Sequence, residues 1–300
     1  MTDNTRVAVI GLGAMGLPMG ARLASGAFAV SGFDPWAARL QLAEATGIRP
    51  CQTPADATDE ADVVLLAVRD RRQAETALFG TDGAASTLRR RAVVVLTSTI
   101  GADAAVAIAD QLAVHDAVVV DAPVSGGPVR AGNGDLLILV GGADKNVARV
   151  RPVLDRLSST LTVVGQRVGD GQLLKVINQL LAGVHIAAAA EAIALARGAG
   201  IDPSAVVEVL SAGAAGSFML SDRGPRMLEA LAGEPGVKSR VDIFVKDMGL
   251  VATLARSVGV ATPVASAAQQ LYLLAENAGL GANDDSSVVR LLGRDHGERK

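Results

Sequence analysis

A lysine and two amide side chains are spaced so that they share one face of a predicted helix. Lys175 precedes Asn178 and Gln179 by three and four residues, and this spacing puts side chains on the same side of an α-helix. The surrounding residues are apolar, so the lysine is partly desolvated, which favours its neutral form and suits proton transfer with a hydroxyl or carbonyl group. The competing interpretation is a lysine whose ammonium group reaches solvent beyond its apolar stem.

A glycine-rich turn lies near the amino terminus. It follows an apolar run at residues 7–10 and precedes a helical pattern at 17–25, and in this position the spacing G-x-G-x-x-G is typical of dinucleotide binding. The first glycine allows the tight turn, the second lets a pyrophosphate approach the backbone, and the third lets helix and strand pack closely. The predicted cofactor-binding residues of this turn are Gly11, Leu12, Gly13, Ala14, Met15 and Gly16.

An acidic residue ends the second predicted strand. Asp34 lies 18 residues after Gly16, where a carboxylate accepts hydrogen bonds from the ribose hydroxyls of NAD and repels the 2′-phosphate of NADP. Arg39 is the first arginine that follows, a helical turn further on. The sequence therefore predicts NAD as the cofactor, although capping of the helix near Trp36 is a compatible role for Asp34.

Two further motifs lie in the chain. Ser125, Gly126 and Gly127 follow a strand-like run at residues 118–120, and ligands of open α/β sheets bind beyond the carboxyl ends of the strands. This turn offers a hydroxyl and backbone N–H groups to a carboxylate, but a structural loop is the default interpretation. Asp242 and Lys246 have the i, i+4 spacing of an ordinary surface ion pair.

The elements that must position these residues change in kind along the chain. Apolar, strand-like runs alternate with helical patterns in the first half, which is typical of a doubly wound α/β sheet covered by helices on both faces. The predicted strands are residues 7–10, 29–33, 63–67, 93–96, 118–120, 136–140 and 161–164. A long helix at 172–199 and further helices follow, so we expect a Rossmann-type NAD-binding domain at 1–166 and an all-helical substrate and dimerisation domain at 167–300.

Composition excludes several classes of protein. The 300 residues carry a net charge of −3 and no basic run, which offers no footprint for nucleic acid. One cysteine, Cys51, forms no internal disulfide, and the scattered His115, His185 and His296 make no metal site. The first ten residues lack the pattern of a secretion signal, and the apolar stretch at 180–195 is short and interrupted for a membrane span. We expect a cytoplasmic protein without a membrane or nucleic-acid partner, and a homodimer or homotetramer, because the long helix is so apolar.

In this order, the motifs resemble those of the β-hydroxyacid dehydrogenase family, to which 3-hydroxyisobutyrate dehydrogenase belongs. The resemblance covers residues 5–293 and rests on GLGAMG, STI at 98–100, DAPVSGG at 121–127, GDLLILVGG at 134–142, KVINQ at 175–179 and FVKDMGL at 244–250. Within the family, the likeness is strongest to the L-threonate dehydrogenase branch, at residues 175–196, 241–251 and 277–292.

The resemblance implies roles for individual residues and an NAD-dependent reaction on a small, carboxylate-bearing hydroxy acid. Lys175 would be the catalytic general acid and base, and Asn178, with Gln179 beside it, would hydrogen-bond the reacting centre. The substrate carboxylate would bind at Ser125, Gly126 and Gly127. Thr99 and Lys246 would contact the nicotinamide, with Asp247 behind Lys246.

Two departures bear on the substrate. The branch implies an asparagine at the position of Gly216 and a histidine at the position of Ala212, and losing these polar side chains puts the sugar-acid specificity in question. Alternatives within the family are 3-hydroxyisobutyrate dehydrogenase and tartronate semialdehyde reductase. An imine reductase or a non-catalytic NAD-binding protein is disfavoured, because such relatives replace the lysine that Lys175 retains.

Overall fold

The computed structural model describes residues 5–293 and divides into two compact units, Met1–Lys175 and Val176–Lys300. Residues 1–4 lie outside the described residues, and they are part of the segment in which no secretion signal is predicted. His296 also lies outside the described residues. The division falls inside one long helix, which begins in the first unit and continues into the second.

The first unit is built on a mixed sheet. Its strands are β1 Arg6–Ile10, β2 Ala29–Phe33, β3 Arg49–Pro50, β4 Val63–Leu66, β5 Val93–Leu96, β6 Val118–Asp121, β7 Val124–Ser125, β8 Leu136–Gly141 and β9 Ser158–Gly165. The first six are parallel in the order 3-2-1-4-5-6, the order of a Rossmann dinucleotide-binding domain. The predicted Rossmann-type fold is confirmed.

The sheet departs from an all-parallel arrangement at one edge. Strand β8 pairs antiparallel with β6 and with β7, and β9 runs parallel to β8. The short strands β3 and β7 were not among the predicted elements, because two residues are too few for a recognisable apolar pattern.

Helices cover the sheet on both faces. They are α1 Gly16–Ala24, α2 Ala37–Glu44, α3 Pro54–Thr58, α4 Arg71–Phe79, α5 Ala102–Ala113, α6 Gly127–Asn133 and α7 Asp144–Leu157. Along β1, Val7 and Val9 belong to one buried cluster, whereas Ala8 and Ile10 belong to a second one. All four are at most 1% exposed. Because successive side chains of a strand point to opposite faces, an unbroken apolar run requires a layer on each side.

The second unit is helical. It holds most of α8 Asp170–Gly198, followed by α9 Pro203–Ser211, α10 Phe218–Ala232, α11 Val241–Ser257 and α12 Pro263–Ala275, and its last described element is a 3₁₀ segment, Asp285–Leu292. Its core contains Phe244 stacked on Tyr272 at a ring-centroid distance of 5.2 Å. The Tyr272 hydroxyl donates to the carbonyl of Gly183 on α8 at 2.8 Å, so this core also ties α8 to α12.

Helix α8 is long and apolar enough by composition to cross a membrane, but half of its most apolar window is buried inside the protein. One reason for its close packing is Gly183, where an added Cβ would lie 2.4 Å from Sδ of Met248 on α11. The helix therefore packs into the core of the second unit.

Buried ion pairs attach the last segment to α10. Arg223 donates to both carboxylate oxygens of Asp285, at 2.8 and 3.0 Å, and Arg226 pairs with Asp284. Both carboxylates are at most 1% exposed. Removing one partner of such a pair leaves a buried charge uncompensated, at a cost of about 3–5 kcal/mol. The pairs therefore hold residues 284 and 285 in one position.

Candidate active site

The glycine turn after β1 needs its first and third glycines for steric reasons. Gly11 has φ +92°, and an added Cβ there would lie 2.6 Å from the carbonyl oxygen of Ala67. At Gly16, the first residue of α1, an added Cβ would lie 1.8 Å from the carbonyl oxygen of Gly11. A side chain at either position would therefore break the turn. The motif predicts this role for Gly11, whereas it predicts close packing of helix and strand at Gly16.

The middle of the turn is open. An added Cβ at Gly13 would meet nothing within 4 Å, and no side chain caps the amino terminus of α1 at Met15. Free N–H groups at a helix amino terminus, beside a backbone without side chains, are a suitable environment for phosphate. The backbone at Gly13, Ala14, Met15 and Gly16 thus fits the pyrophosphate of a dinucleotide, whereas the predicted Leu12 is fully buried and its N–H donates to Asp34.

Asp34 connects this turn to the end of β2. Its Oδ2 accepts the backbone N–H of Leu12 at 2.8 Å, and its Oδ1 accepts the backbone N–H of Trp36 at 3.0 Å. Each carboxylate oxygen can accept a second hydrogen bond, so both helix capping and ribose binding are compatible with this geometry. The carboxylate is 8% exposed and held in one orientation.

The predicted carboxylate-binding turn follows β6. Ser125 belongs to β7 and pairs with Leu137 of β8, and α6 begins at Gly127. Gly126 and Gly127 have φ +137° and +78°, and an added Cβ at Gly127 would meet nothing within 4 Å. The turn is ordered by strand pairing and leaves space beside its second glycine.

The segment after β5 carries Thr99. The Ser98 hydroxyl donates to the carbonyl of Leu66 at 3.1 Å and accepts the N–H of Val68 at 2.9 Å, which joins this segment to the end of β4. Gln172 of α8 also binds the segment that carries Thr99, because its Oε1 accepts the N–H groups of Ile100 and Gly101 at 2.9 and 3.1 Å.

Gln172 and Asp121 were not among the predicted site residues. Asp121 is fully buried at the end of β6, and Gln172 donates to it from both the side-chain amide and the backbone N–H, each at 2.8 Å. Burial is the main influence on the carboxyl group, and it raises the pKa of Asp121 to about 6 against the lowering effect of these hydrogen bonds. Asp121 is the first residue of the motif DAPVSGG, but no motif in the sequence identifies Gln172 as a residue of the site.

Lys175 is buried, with 6% of its surface exposed. It lies in α8, one helical turn after Gln172 and at the end of the first unit. The interpretation of a lysine that extends into solvent is therefore wrong. A lysine at this depth is expensive to place unless it is partnered or has a function.

In the second unit, the remaining predicted residues form one hydrogen-bonded chain. Asn178 donates to Oε1 of Gln179 at 2.8 Å, and Gln179 donates to Oδ2 of Asp247 at 2.5 Å. Lys246 pairs with the other carboxylate oxygen, Oδ1 of Asp247, at 2.6 Å. Asp247 is 2% exposed. It orients Gln179 and Lys246 directly and Asn178 through Gln179.

The two departures lie in the turn between α9 and α10. Ala212 is the C-cap residue of α9. An added Cβ at Gly216 would lie 2.6 Å from the carbonyl oxygen of Ser211. The turn that joins α9 to α10 is therefore closed too tightly for a side chain at residue 216. No group of His, Cys, Asp or Glu residues that could hold a metal ion lies within residues 5–293.

Comparisons with known proteins agree with this arrangement. Residues 6–165 match the NAD-binding domain of 6-phosphogluconate dehydrogenase, and residues 169–292 match the NAD-binding domain of NADP-dependent 3-hydroxyisobutyrate dehydrogenase. The L-threonate dehydrogenase of Cupriavidus necator is 39% identical over 96% of both chains. The 2-hydroxy-3-oxopropionate reductase of Escherichia coli is 32% identical over 96% of this chain and 97% of its own.

Solved structures of related dehydrogenases and reductases have the same fold. The crystal structure of a 3-hydroxyisobutyrate dehydrogenase from Salmonella typhimurium superposes with a TM-score of 0.89 at 35% identity, over 96% of this chain and 99% of its own. An imine reductase from Streptomyces aurantiacus, at 23% identity and a TM-score of 0.65, shares the fold. The chain belongs to the β-hydroxyacid dehydrogenase family, related to 3-hydroxyisobutyrate dehydrogenase, whose members are oxidoreductases that act on CH–OH groups with a nicotinamide dinucleotide.

Proposed function

We propose that this protein oxidises L-threonate at its C2 hydroxyl to 2-oxo-tetronate with NAD. The observation that carries the proposal is the buried Lys175, one helical turn past the hydrogen-bonded Gln172. Five L-threonate dehydrogenases, 36–39% identical to the chain over nearly their whole length, support the choice of substrate.

The substrate carboxylate binds at Ser125, Gly126 and Gly127. The serine hydroxyl and the backbone N–H groups are donors suited to a carboxylate, and the open space beside Gly127 leaves room for it. Binding there directs the C2 hydroxyl toward Lys175. The uncharged Nζ of Lys175 accepts the hydroxyl proton while the C2–H bond breaks.

The side chain of Asn178 orients the hydroxyl, and Gln179 holds Asn178 through the 2.8 Å hydrogen bond between their amides. When NAD is bound, it supplies the hydride acceptor for C2, and this redox chemistry belongs to the cofactor. The protein contributes position and proton transfer.

Further residues have proposed roles toward the dinucleotide. The turn from Gly11 to Gly16 holds the pyrophosphate at the amino terminus of α1, and Asp34 accepts the ribose hydroxyls. Thr99 and Lys246 contact the nicotinamide. The proposed preference for NAD rests on Asp34, whose carboxylate repels the additional phosphate of NADP.

Two other substrates are alternatives to L-threonate. The small residues Ala212 and Gly216 remove polar groups that the L-threonate dehydrogenase branch carries, and this observation favours a less hydroxylated acid such as 3-hydroxyisobutyrate. Tartronate semialdehyde, reduced in the reverse direction, is the third candidate. The same lysine and carboxylate site would serve all three.

We further propose that the protein is a cytoplasmic homodimer or homotetramer without nucleic-acid or membrane partners. Ile177, Leu181 and Leu195 of α8 are 51%, 51% and 75% exposed, an apolar surface that a second copy would cover. Light scattering after size-exclusion chromatography measures the oligomeric state, and a monomer at micromolar concentration would contradict this part of the proposal.

The test is NADH formation, followed at 340 nm, on a panel of L-threonate, D-threonate, D-erythronate, 3-hydroxyisobutyrate and D-glycerate. L-threonate should give the highest kcat/KM, and Lys175→Ala should lower kcat by at least a thousandfold while NADH still binds. Lys145→Ala, at an exposed lysine of α7, is the matched control. Preference for another acid would overturn the substrate, and a fully active Lys175→Ala variant would overturn the mechanism.

A further inference from the structure

The side-chain amide of Gln172 uses all four of its hydrogen-bonding positions. Its Nε2 donates to the carbonyl of Ser98 at 3.0 Å and to Oδ1 of Asp121 at 2.8 Å. Its Oε1 accepts the N–H groups of Ile100 and Gly101. The residue is fully buried, so none of these partners is exchanged for water.

The amide has one possible orientation. Two of its partners, the carbonyl of Ser98 and the carboxylate of Asp121, are acceptors, whereas the N–H groups of Ile100 and Gly101 are donors. Rotating the amide by 180° would set like groups against each other at all four positions. Gln172 is therefore a fixed bridge and not an adaptable contact.

The bridge joins two segments that carry proposed site residues. On one side it holds the peptide groups that flank Thr99, through the carbonyl of Ser98 and the N–H of Ile100. On the other side, Oδ2 of Asp121 accepts the backbone N–H of Gln172 at 2.8 Å and that of Gly169 at 3.1 Å. These hydrogen bonds fix the first turn of α8, and Lys175 lies on the next turn.

We propose that Gln172 is a positioning residue, which holds Thr99 at a fixed place relative to the turn of α8 that carries Lys175. The inference rests on the proposed function, in which Thr99 contacts the nicotinamide and Lys175 accepts the proton. Hydride and proton transfer demand that both stay in place, since a displacement of about 1 Å lowers a rate by about a hundredfold. An aliphatic side chain of similar size would leave the carbonyl of Ser98 and two N–H groups without partners.

The test separates positioning of the nicotinamide side from general damage to the fold. Isothermal titration calorimetry measures the Kd of NADH and of ADP-ribose, which lacks the nicotinamide, for the wild type, Gln172→Leu and Gln172→Glu. The glutamate variant keeps the size and the acceptor oxygen of Gln172 but loses both donated hydrogen bonds. Gln111→Leu is the matched control, because Gln111 on α5 is exposed and its side-chain amide donates to the carbonyl of Ala107 in the same helix.

For both Gln172 variants, the Kd of NADH should rise at least fivefold while the Kd of ADP-ribose stays within twofold of the wild-type value. Unchanged ADP-ribose binding also demonstrates that the variants fold. With the preferred hydroxy acid, kcat should fall ten- to a hundredfold with a smaller change in KM, and deuterium at the oxidised carbon should slow the variants more than the wild type. Gln111→Leu should match the wild type throughout.

Equal losses of NADH and ADP-ribose affinity, or no loss of either, would overturn the positioning role. A wild type that binds NADH but oxidises no acid of the panel would overturn the proposed function instead, and the ratio of the two Kd values would still test Gln172. A wild type without affinity for NADH would overturn both.

Discussion

The carboxylate of Asp247 binds Gln179 through one oxygen and Lys246 through the other, at 2.5 and 2.6 Å. Asp247 follows Lys246 directly on α11, whereas Gln179 lies 68 residues earlier on α8. Because the carboxylate is 2% exposed, its two oxygens have little access to water. Asp247 therefore determines the orientation of two side chains that the proposed mechanism uses, and through Gln179 that of Asn178.

Asp247→Asn tests this arrangement. An amide offers one acceptor oxygen, so either Gln179 or Lys246 would face an NH₂ group, and we expect kcat/KM to fall ten- to a hundredfold, equivalent to about 1.4–2.7 kcal/mol of transition-state stabilisation. Steady-state kinetics with the preferred acid provides the measurement. Asp110→Asn, at an exposed aspartate of α5, is the control. Unchanged kinetics in Asp247→Asn would show that the orientation is immaterial.

Asp34 should decide the choice of cofactor. In Asp34→Ala, the ratio of kcat/KM for NAD to that for NADP should fall at least tenfold, because the repulsion of the 2′-phosphate and the ribose hydrogen bonds are both lost. The N–H groups of Leu12 and Trp36 also lose their acceptor, at about 1 kcal/mol of stability each. A wild type that prefers NADP at equal concentration would contradict the assignment.

Trp36 provides a spectroscopic signal for cofactor binding. It is the single tryptophan of the chain and is 74% exposed, two residues after Asp34. We expect NADH to quench its emission and to show sensitised nicotinamide fluorescence, with a Kd that matches calorimetry. In Trp36→Phe the signal should vanish while NADH still binds. Emission that is unaffected by saturating NADH would place the dinucleotide away from this residue.

The buried Asp121 makes stability depend on pH in an unusual direction. Its pKa is raised from 3.8 to about 6 by burial, so between these values the folded protein binds a proton that the unfolded chain releases. The stabilisation is complete below pH 3.8 and is lost as pH rises through about 6, an effect of about 3 kcal/mol.

Asp121→Asn removes this titration. The free energy of unfolding of the wild type minus that of the variant, from urea denaturation at several pH values, should therefore decrease from pH 4 to pH 7. A difference that is constant or that increases with pH would contradict a raised pKa at Asp121.

Gly216 should not tolerate the asparagine that the resemblance to the L-threonate dehydrogenase branch implies for this position. The Cβ of Gly216→Ala would meet the carbonyl oxygen of Ser211 at 2.6 Å, and we expect a loss of about 1–3 kcal/mol in stability. Gly216→Asn should likewise lower the Tm and not improve activity on L-threonate. Gly213→Ala is the control, since its nearest contacts are at 3.9 Å. A stable Gly216→Asn variant with higher kcat/KM for L-threonate would contradict this view of the turn.

Much of the fold could be predicted from local patterns. The strand at residues 93–96 was predicted with its observed bounds, because all four of its residues are apolar and buried, as in a parallel strand covered on both faces. The glycine turn is equally local, since the conformation of Gly11 and the contact of Gly16 with Gly11 depend on residues only a few positions apart. The antiparallel direction of β8 was not predicted, because an apolar run carries no information about the direction of its neighbours.

The sequence by itself determined the residue types of the candidate site and their spacing along each element. Only the tertiary structure decided which polar groups meet. Gln172 reaches Asp121 from 51 residues away, and Gln179 reaches Asp247 from 68. These hydrogen bonds form because the sheet and the helices bury polar groups that must then find partners, and the identity of a partner depends on how distant segments pack.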